Sequence, residues 1–548
     1  MANLILPYCL LAMRYLLALL CVLFILYIIK IFKMGKPVPL YRLYSLNNRN
    51  KYDVCNYECS IGRSKICDVC LNLGSVSRRH AILTYNDRYG LRIDTVNGSS
   101  VNVNGIEVDG YAYVENGDTI NIGGAELSLS EFSSDNDISS RSKKKKQKSV
   151  GFFGGVMLLS AIQLIMCFEL MLHYRNDFVL AVPACFIILI ASEWGYFIFR
   201  RMRNIGIELM GVFLTSFGFC VAASATPTEL YKITLTAIAG FAAFIALTYI
   251  LRNIELVMKL RYVFGAMAII LFAYNIFFGV TRFGAKNWID IGGIFTLQPS
   301  ELIKFAFIFA GSATLARLFT RRNLLLFILY TGFCLGALAV MRDFGTALIY
   351  FCTALIIMYM RSGDVKIITI ITAAVGVLGV VAIKVFPYIT RRFEAYLHAW
   401  EYAADKGYQQ TRTMIAVASG GLFGVGGGEG NLDRVAASDT DLVFGILSEE
   451  WGMIAAFCAV ACFIIFAIYS LRCTARTNSA YYAISACAAS GLFIVQISLN
   501  IFGSLDLLPL TGVTMPFISN GGSSMLASWA LLALIHAVGA NTARRDTE

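Results

Sequence analysis

The feature that most constrains this chain is a succession of apolar segments, each long enough to cross a bilayer, recurring from residue 4 to residue 540. A helix needs about 20 mainly apolar residues to span the hydrocarbon, and inside that layer its backbone amides and carbonyls must satisfy one another. One such segment lies at 4–32. Twelve more lie near 151–173, 178–199, 205–223, 230–250, 262–281, 300–318, 323–341, 344–360, 366–387, 442–470, 481–503 and 519–540. Only 15% of the 548 residues are charged, against about 25% in soluble domains, which excludes an ordinary soluble protein and a disordered one. The expected fold class is a polytopic all-α membrane protein, a helical bundle of about 12 spans plus an N-terminal anchor, interrupted by one β-sandwich.

Residues 1–33 read as an uncleaved anchor, broken once by Arg14, because the apolar core exceeds that of a signal peptide and no small-residue cleavage site follows. Lys30, Lys33 and Lys36 put its C-terminal end in the cytoplasm. With 34–150 inside, basic residues fall in every loop counted as cytoplasmic, at 200–203, 252–261, 317–322, 361–366, 472–476 and 544–545. The net charge of +11 follows from these loops and does not call for nucleic acid. One long loop, 388–440, falls on the outside, and a loop of that length between tight spans is usually functional. Most of the fifteen cysteines, such as Cys21, Cys167, Cys220 and Cys462, sit in apolar runs, where they act as small hydrophobes.

Residues 40–132 differ in character. Apolar and polar residues alternate in short runs separated by Asn97-Gly98, Asn104-Gly105 and Asn116-Gly117, a spacing that predicts many short strands in a β-sandwich. A basic linker follows at 133–150, solvated and suited to anionic headgroups. The motifs Gly62-Arg63-Ser64, Ser77-Arg78-Arg79-His80 and Asn97-Gly98-Ser99 together make this segment resemble a cytoplasmic forkhead-associated (FHA) domain. The resemblance implies a phosphothreonine-containing protein as partner. Arg63 and Ser77 would hold the phosphate, Arg78 would assist, and Asn97 would bond the peptide backbone. Guanidinium and hydroxyl donors suit a phosphate dianion. Val96 stands where such domains often carry Ser or Thr, and His80 is expected to be a buried structural residue. Cys55, Cys59, Cys67 and Cys70 do not have the spacing of a zinc ribbon.

Ionisable residues within or at the mouths of spans are costly and mark function. They form four clusters, all at the predicted outer face. The first runs from Lys286 and Asn287 through Asp290 to Gln298, Glu301 and Lys304. The second is Arg342, Asp343 and Thr346. The third holds Arg392, the glycine-rich run 419–430, Asp433, Asp439 and Asp441, with Glu449 and Glu450 just beyond. The fourth comprises Gln496, Asn500, 508–512 and 516–524.

Gln298-Pro-Ser-Glu301-Leu and Pro516-Phe-Ile-Ser-Asn-Gly-Gly-Ser-Ser524, with the blocks between them, resemble the FtsW/RodA/SpoVE family over 205–541. That resemblance implies a peptidoglycan glycosyltransferase. It would polymerise lipid II at the outer face of the bacterial cytoplasmic membrane, in elongation, division or sporulation, beside a class B penicillin-binding protein. Asp441 closes the family's His-Thr-Asp motif and would be the catalytic base. Lys286, Lys304 and Arg392 would face the leaving diphosphate, with Glu301, Asp433 and Ser523 in the substrate site. The resemblance fixes no cofactor with certainty, and a divalent cation (Mg or Mn) could share the diphosphate charge. Asp439 replaces the motif's His, and Met341-Arg342 replaces Gln-Pro before Asp343.

Structural alternatives accompany these roles. Glu301 and Lys304, one turn apart, could simply pair, and Asp441 could cap the next span. The glycine run lacks Gly-Lys-Ser/Thr and reads as a tight re-entrant turn. Gln496 and Asn500 suit interhelical hydrogen bonds. A lipid II flippase and a non-catalytic division scaffold are the competing functions. The two spans in 151–204 lie outside the resemblance and have no assigned role.

Overall fold

Every apolar segment folds as a helix, as the need for internal backbone satisfaction demands. The computed structural model describes residues 2–32, 41–46, 50–54, 58–64, 67–86, 90–96, 99–108, 110–131, 153–173, 180–200, 205–282, 285–291, 295–316, 321–363, 365–385, 387–474, 477 and 479–545. The basic linker 133–150, Lys33, Lys36, Cys55 and Asn97 lie outside them.

The helices of the first half are α1 (Ala2–Ile31), α2 (Phe153–His173), α3 (Ala181–Phe199), α4 (Gly206–Ala225), α5 (Leu230–Ile250), α6 (Ile254–Phe278) and α7 (Pro299–Leu315). Then come α8 (Arg321–Val340), α9 (Phe344–Ser362), α10 (Val365–Val385), α11 (Pro387–Ala395) and α12 (Tyr408–Gly420). The last four are α13 (Ser438–Asp441), α14 (Val443–Thr474), α15 (Ala480–Ser504) and α16 (Gly522–Arg545). Among the described residues, eleven helices are long and apolar enough to cross a membrane. The two remaining expected segments are α7, which has 17 residues, and α10, in which the shorter stretch Ile368–Val377 is the apolar part. The chain is a multi-pass membrane protein.

Burial separates the centre of the bundle from its rim. The apolar stretch of α4 is buried along its whole length, and α7 buries nearly every side chain, including Ser300, Glu301 and Lys304. By contrast α5, α6 and α8 expose Leu235, Ile238, Ile270, Phe277, Leu325 and Leu329. Such side chains suit hydrocarbon, as expected where lipid is the solvent.

The described residues between 41 and 131 form a sandwich of two sheets within a second compact unit. One sheet runs in the order Lys51–Val54, Tyr41–Ser45, Ala125–Glu131, Thr119–Ile122, Val101–Val103, Ile106–Val108. The other runs Val69–Cys70, Glu58–Gly62, Ala81–Asn86, Gly90–Thr95, Tyr111–Val114. Alternate residues point inward, so Leu43, Ile61, Leu83, Ile93, Ile120 and Leu127 form the core.

Two irregular regions carry polar side chains in the helical unit. Three short strands, Val280–Arg282, Ala285–Ile291 and Phe295–Leu297, connect α6 to α7. The long connection after α10 holds α11, α12, a 3-10 turn at Leu432–Arg434, and α13. It is fixed by a break in α14. At Gly452 the backbone leaves helical geometry (φ 83°, ψ 163°), which releases the carbonyls of Glu449 and Glu450 and the amides of Met453 and Ile454. The glycine run takes up all four groups. Val425 N donates to Glu449 O (2.9 Å) and Gly426 N to Glu450 O (3.0 Å), while Met453 N donates to Gly421 O (3.0 Å) and Ile454 N to Leu422 O (3.3 Å).

A Cβ on Gly424 would strike the Glu450 backbone, and one on Gly452 would strike the Leu422–Gly424 backbone. The expected re-entrant turn is therefore a backbone-to-backbone splice. Gly452→Ala is expected to lower the melting temperature of the detergent-solubilised protein, since the backbone strain alone costs about 1–3 kcal/mol.

Candidate active site

Asp441 ends the single turn of α13, whose backbone is held from three sides. Asn500 Nδ2 donates to Asp441 O (3.0 Å) and to Val513 O (2.7 Å), and Ser519 Oγ donates to Thr440 O (2.6 Å). Asn520 donates its N–H to Asp439 O (2.8 Å) and its amide to Asp439 Oδ2 (2.9 Å). The segment between α15 and α16 thus cradles α13. Gln496 and Asn500, expected as interhelical hydrogen-bonders, fix that segment, with Gln496 Nε2 donating to Thr514 O (2.7 Å).

Arg392, exposed on α11, donates Nη1 to Thr511 O (2.9 Å). Between it and Asp441 lies Gly512 at φ 67°. A methyl group there would stand 3.0 Å from Asp441 Oδ2 and 4.0 Å from a guanidinium nitrogen of Arg392. The carboxylate and the guanidinium therefore border the same glycine. Desolvation pushes the Asp441 carboxyl up to about 6, Asp439 and Asp343 push the same way, and Thr440 and Arg392 oppose them. Asp439 is itself raised, first by burial, with Asn520 opposing. A partly buried carboxyl titrating near 6 is a competent general base near neutrality.

The other expected site residues fall into three surroundings. Asp433 lies in the 3-10 turn, its Oδ1 buried with no hydrogen-bond partner among the described atoms, while Ser438 Oγ donates to its carbonyl (3.2 Å). Ser523, in the first turn of α16, accepts from Gln298 N (3.3 Å). Lys286 turns its amine onto the last carbonyls of α6, Ile276 O (2.8 Å) and Phe277 O (3.4 Å), where a cation complements the helix terminus.

Lys304 and Glu301 pair with one another (2.7 Å) in the bundle interior, their side chains 1% and 5% exposed, and Lys304 also donates to Gln496 Oε1 (3.1 Å). The pairing alternative describes their geometry. A third carboxylate, Asp343, caps α9 through Thr346 N (3.1 Å) and accepts from Asn287 (2.9 Å) and Gln298 (3.5 Å). Its place one residue before an apolar helix is the N-cap signal that could have assigned it.

In the sandwich, Arg63, Ser77 and Arg78 are exposed on neighbouring loops. Arg63 N donates to Ser77 O (2.9 Å), and Ser99 Oγ lies 3.4 Å from Ser77 Oγ. His80 is buried, its Nδ1 accepting from Ser77 N (3.1 Å) and its Nε2 2.9 Å from Ser100 O, so it holds the loop that presents Ser77. Burial raises the Cys67 thiol, which lies 3.3 Å from Arg78 O.

Removing one partner of a buried ion pair strands the other charge, at a cost of about 3–5 kcal/mol. Lys304→Met should therefore lower thermal stability strongly, and Lys304→Met combined with Glu301→Leu should recover most of the loss, both read as melting temperatures in detergent.

Residues 207–544 match the FtsW/RodA/SpoVE family, described as cell cycle protein, and residues 59–123 match the FHA domain. The peptidoglycan glycosyltransferase RodA of Mycobacterium tuberculosis H37Rv is 27% identical over 322 residues, 55% of this chain and 68% of its own length. The probable peptidoglycan glycosyltransferase FtsW of Coxiella burnetii is 31% identical over 268 residues, 47% of this chain and 72% of its own. Stage V sporulation protein E of Bacillus subtilis is 29% identical over 259 residues, 45% of this chain and 69% of its own. A solved chain from a peptidoglycan synthase complex that coordinates polymerization and crosslinking shares the helical fold, at TM-score 0.51 and 22% identity, over 62% of this chain and 98% of its own. The matched segment holds the Asp441 site and the second match holds the Arg63 loops; the chain belongs to the FtsW/RodA/SpoVE family and carries an FHA domain ahead of it.

Proposed function

We propose that this protein is a peptidoglycan glycosyltransferase that polymerises lipid II at the outer face of the bacterial cytoplasmic membrane, with Asp441 as the base. The observation that carries the reading is the meeting of Asp441 and Arg392 across Gly512. The Asp441 carboxylate takes the proton from an acceptor sugar hydroxyl as that oxygen attacks the donor's anomeric carbon. The bond to the undecaprenyl diphosphate breaks and the configuration inverts. Arg392 is the cation placed to meet the charge that grows on the departing diphosphate. Lys286 and Lys304 support the site by holding α6 and the bundle interior. Asp433 and Ser523 shape the turns at its border.

Among the described residues no three His, Cys, Asp or Glu side chains converge as a metal cage. That donor set does not by itself form a cage for a resident divalent ion. Lys304 bonds Glu301 and Gln496, and this closed set of partners in the bundle interior favours polymerisation over transport of the lipid.

The positive-inside pattern supports a cytoplasmic FHA domain and an extracytoplasmic Asp441. In this reading a class B penicillin-binding protein is the crosslinking partner; a solved neighbour drawn from a peptidoglycan synthase complex that coordinates polymerization and crosslinking supports it. Arg63, Ser77, Arg78 and Asn97 would take a phosphothreonine on a cytoplasmic protein.

Purified protein with its penicillin-binding partner should make glycan strands from labelled lipid II, and Asp441→Ala should slow this by about 10²–10⁴-fold. Because the base must be ionised, kcat/KM should fall about tenfold per unit below a pH near 6, and Asp439→Asn, which removes a neighbouring negative charge, should move that limb to lower pH. Equal synthesis by Asp441→Ala would overturn the assignment. Calorimetry should show a phosphothreonine peptide binding the full chain and Arg63→Ala abolishing it, with the unphosphorylated peptide inert in both.

A further inference from the structure

Helices α1, α2 and α3 lie outside the matched family segment, and two of them meet the splice that fixes the catalytic connection. From α1, Arg14 donates Nε to Glu169 Oε1 on α2 (3.0 Å) and reaches Gly424 O with Nη1 (3.5 Å). Its neighbour Tyr15 sets its ring edge-on to Phe423 at 4.5 Å. From α2, the Glu169 carboxylate faces the Gly427 amide, Leu170 packs beside Gly427, and His173 Nδ1 lies 3.2 Å from Glu429 Oε1. A Cβ at Gly426 would collide with the Arg14 guanidinium. The pair is largely enclosed, with side-chain exposures of 19% and 3%.

The contact continues toward the chemistry. The opposite edge of the glycine run is the ladder to Glu449 and Glu450. Glu449 Oε2 accepts from Leu432 N (3.0 Å), at the start of the turn bearing Asp433, and Ser438 of α13 bonds the Asp433 carbonyl. Asp441 follows three residues later. Helix packing alone does not call for this arrangement, since apolar residues of similar volume commonly replace a buried ion pair without loss of stability. A charged pair in a span marks function when it reaches a functional element.

We propose that Arg14 and Glu169 are positioning residues for polymerisation, an ion pair supplied by helices outside the family segment that holds the glycine run and, through it, the backbone bearing Asp433 and Asp441. This rests on the polymerase reading above. The pair touches neither substrate nor the reacting atoms. It acts by restricting the loop, and a displacement of about 1 Å at a reacting group can cost about 10²-fold in rate.

The test uses the full chain with its penicillin-binding partner and the double variant Arg14→Met/Glu169→Leu, which keeps the α1–α2 contact apolar and filled. Its melting temperature should match that of the wild type. Its kcat for labelled lipid II should fall about 10- to 100-fold with KM little changed. Amide hydrogen exchange across 421–434 should accelerate about tenfold while α4 and α7 stay protected. Wild-type kcat and wild-type exchange in the double variant would overturn the proposal, as would a loss of activity that only tracks a lower melting temperature. Exchange across 421–434 decides the hold on the loop whether or not glycan forms, and absence of glycan from the wild type would instead sink the polymerase reading.

Discussion

A charge buried among apolar helices must meet an opposite charge or a full set of hydrogen-bonding groups, and the rest of the site depends on how the chain meets that demand for Lys304. Its amine joins Glu301 on the same helix and Gln496 on α15. Gln496 passes the connection to Thr514, and Thr514 shares a hydrogen bond with Ser524 at the start of α16 (3.1 Å). A network of this kind has few alternative arrangements, because each unsatisfied member would stand unpaired in a low-dielectric interior. The segment from Thr511 to Ser524 is thereby fixed from beneath, and its upper side offers Ser519 and Asn520 to α13.

That placement explains the electrostatics around Asp441. The carboxyl sits where water is scarce and two other carboxylates stand near, so its proton is held more tightly than in solution. Arg392 opposes the trend without forming a tight pair, as its own hydrogen bond goes to Thr511 O. A fully engaged guanidinium would hold the carboxylate ionised but would weaken it as a base. Exposure of Arg392 also leaves the cation open to an incoming anionic group.

The spans and the sandwich were legible in the sequence, because each rests on local periodicity or on a contiguous string of residues. All thirteen apolar segments are helices, including α7, where a polar Glu301 and Lys304 interrupt a short run. Long-range pairings were beyond its reach. Nothing local to Lys304 indicates that its amide partner is 192 residues away, nor that Arg14 meets Glu169 at a separation of 155. The motif around Lys286 groups it with the diphosphate cations, whereas its strand turns the amine back onto the end of α6. The glycine run could be read as a turn, but its partner, the opened segment of α14, lies inside a stretch that reads as one continuous span.

The splice at Gly452 has a consequence for genetics. Its contacts are made by main chain alone, so residues without any functional group join the glycine run to the opened segment of α14. A survey of loss-of-function alleles would rank the glycines at 424 and 452 alongside the aspartate at 441. Sensitivity to substitution would therefore outline a shape around the chemistry, and locating the proton acceptor within that outline would require kinetics resolved by pH.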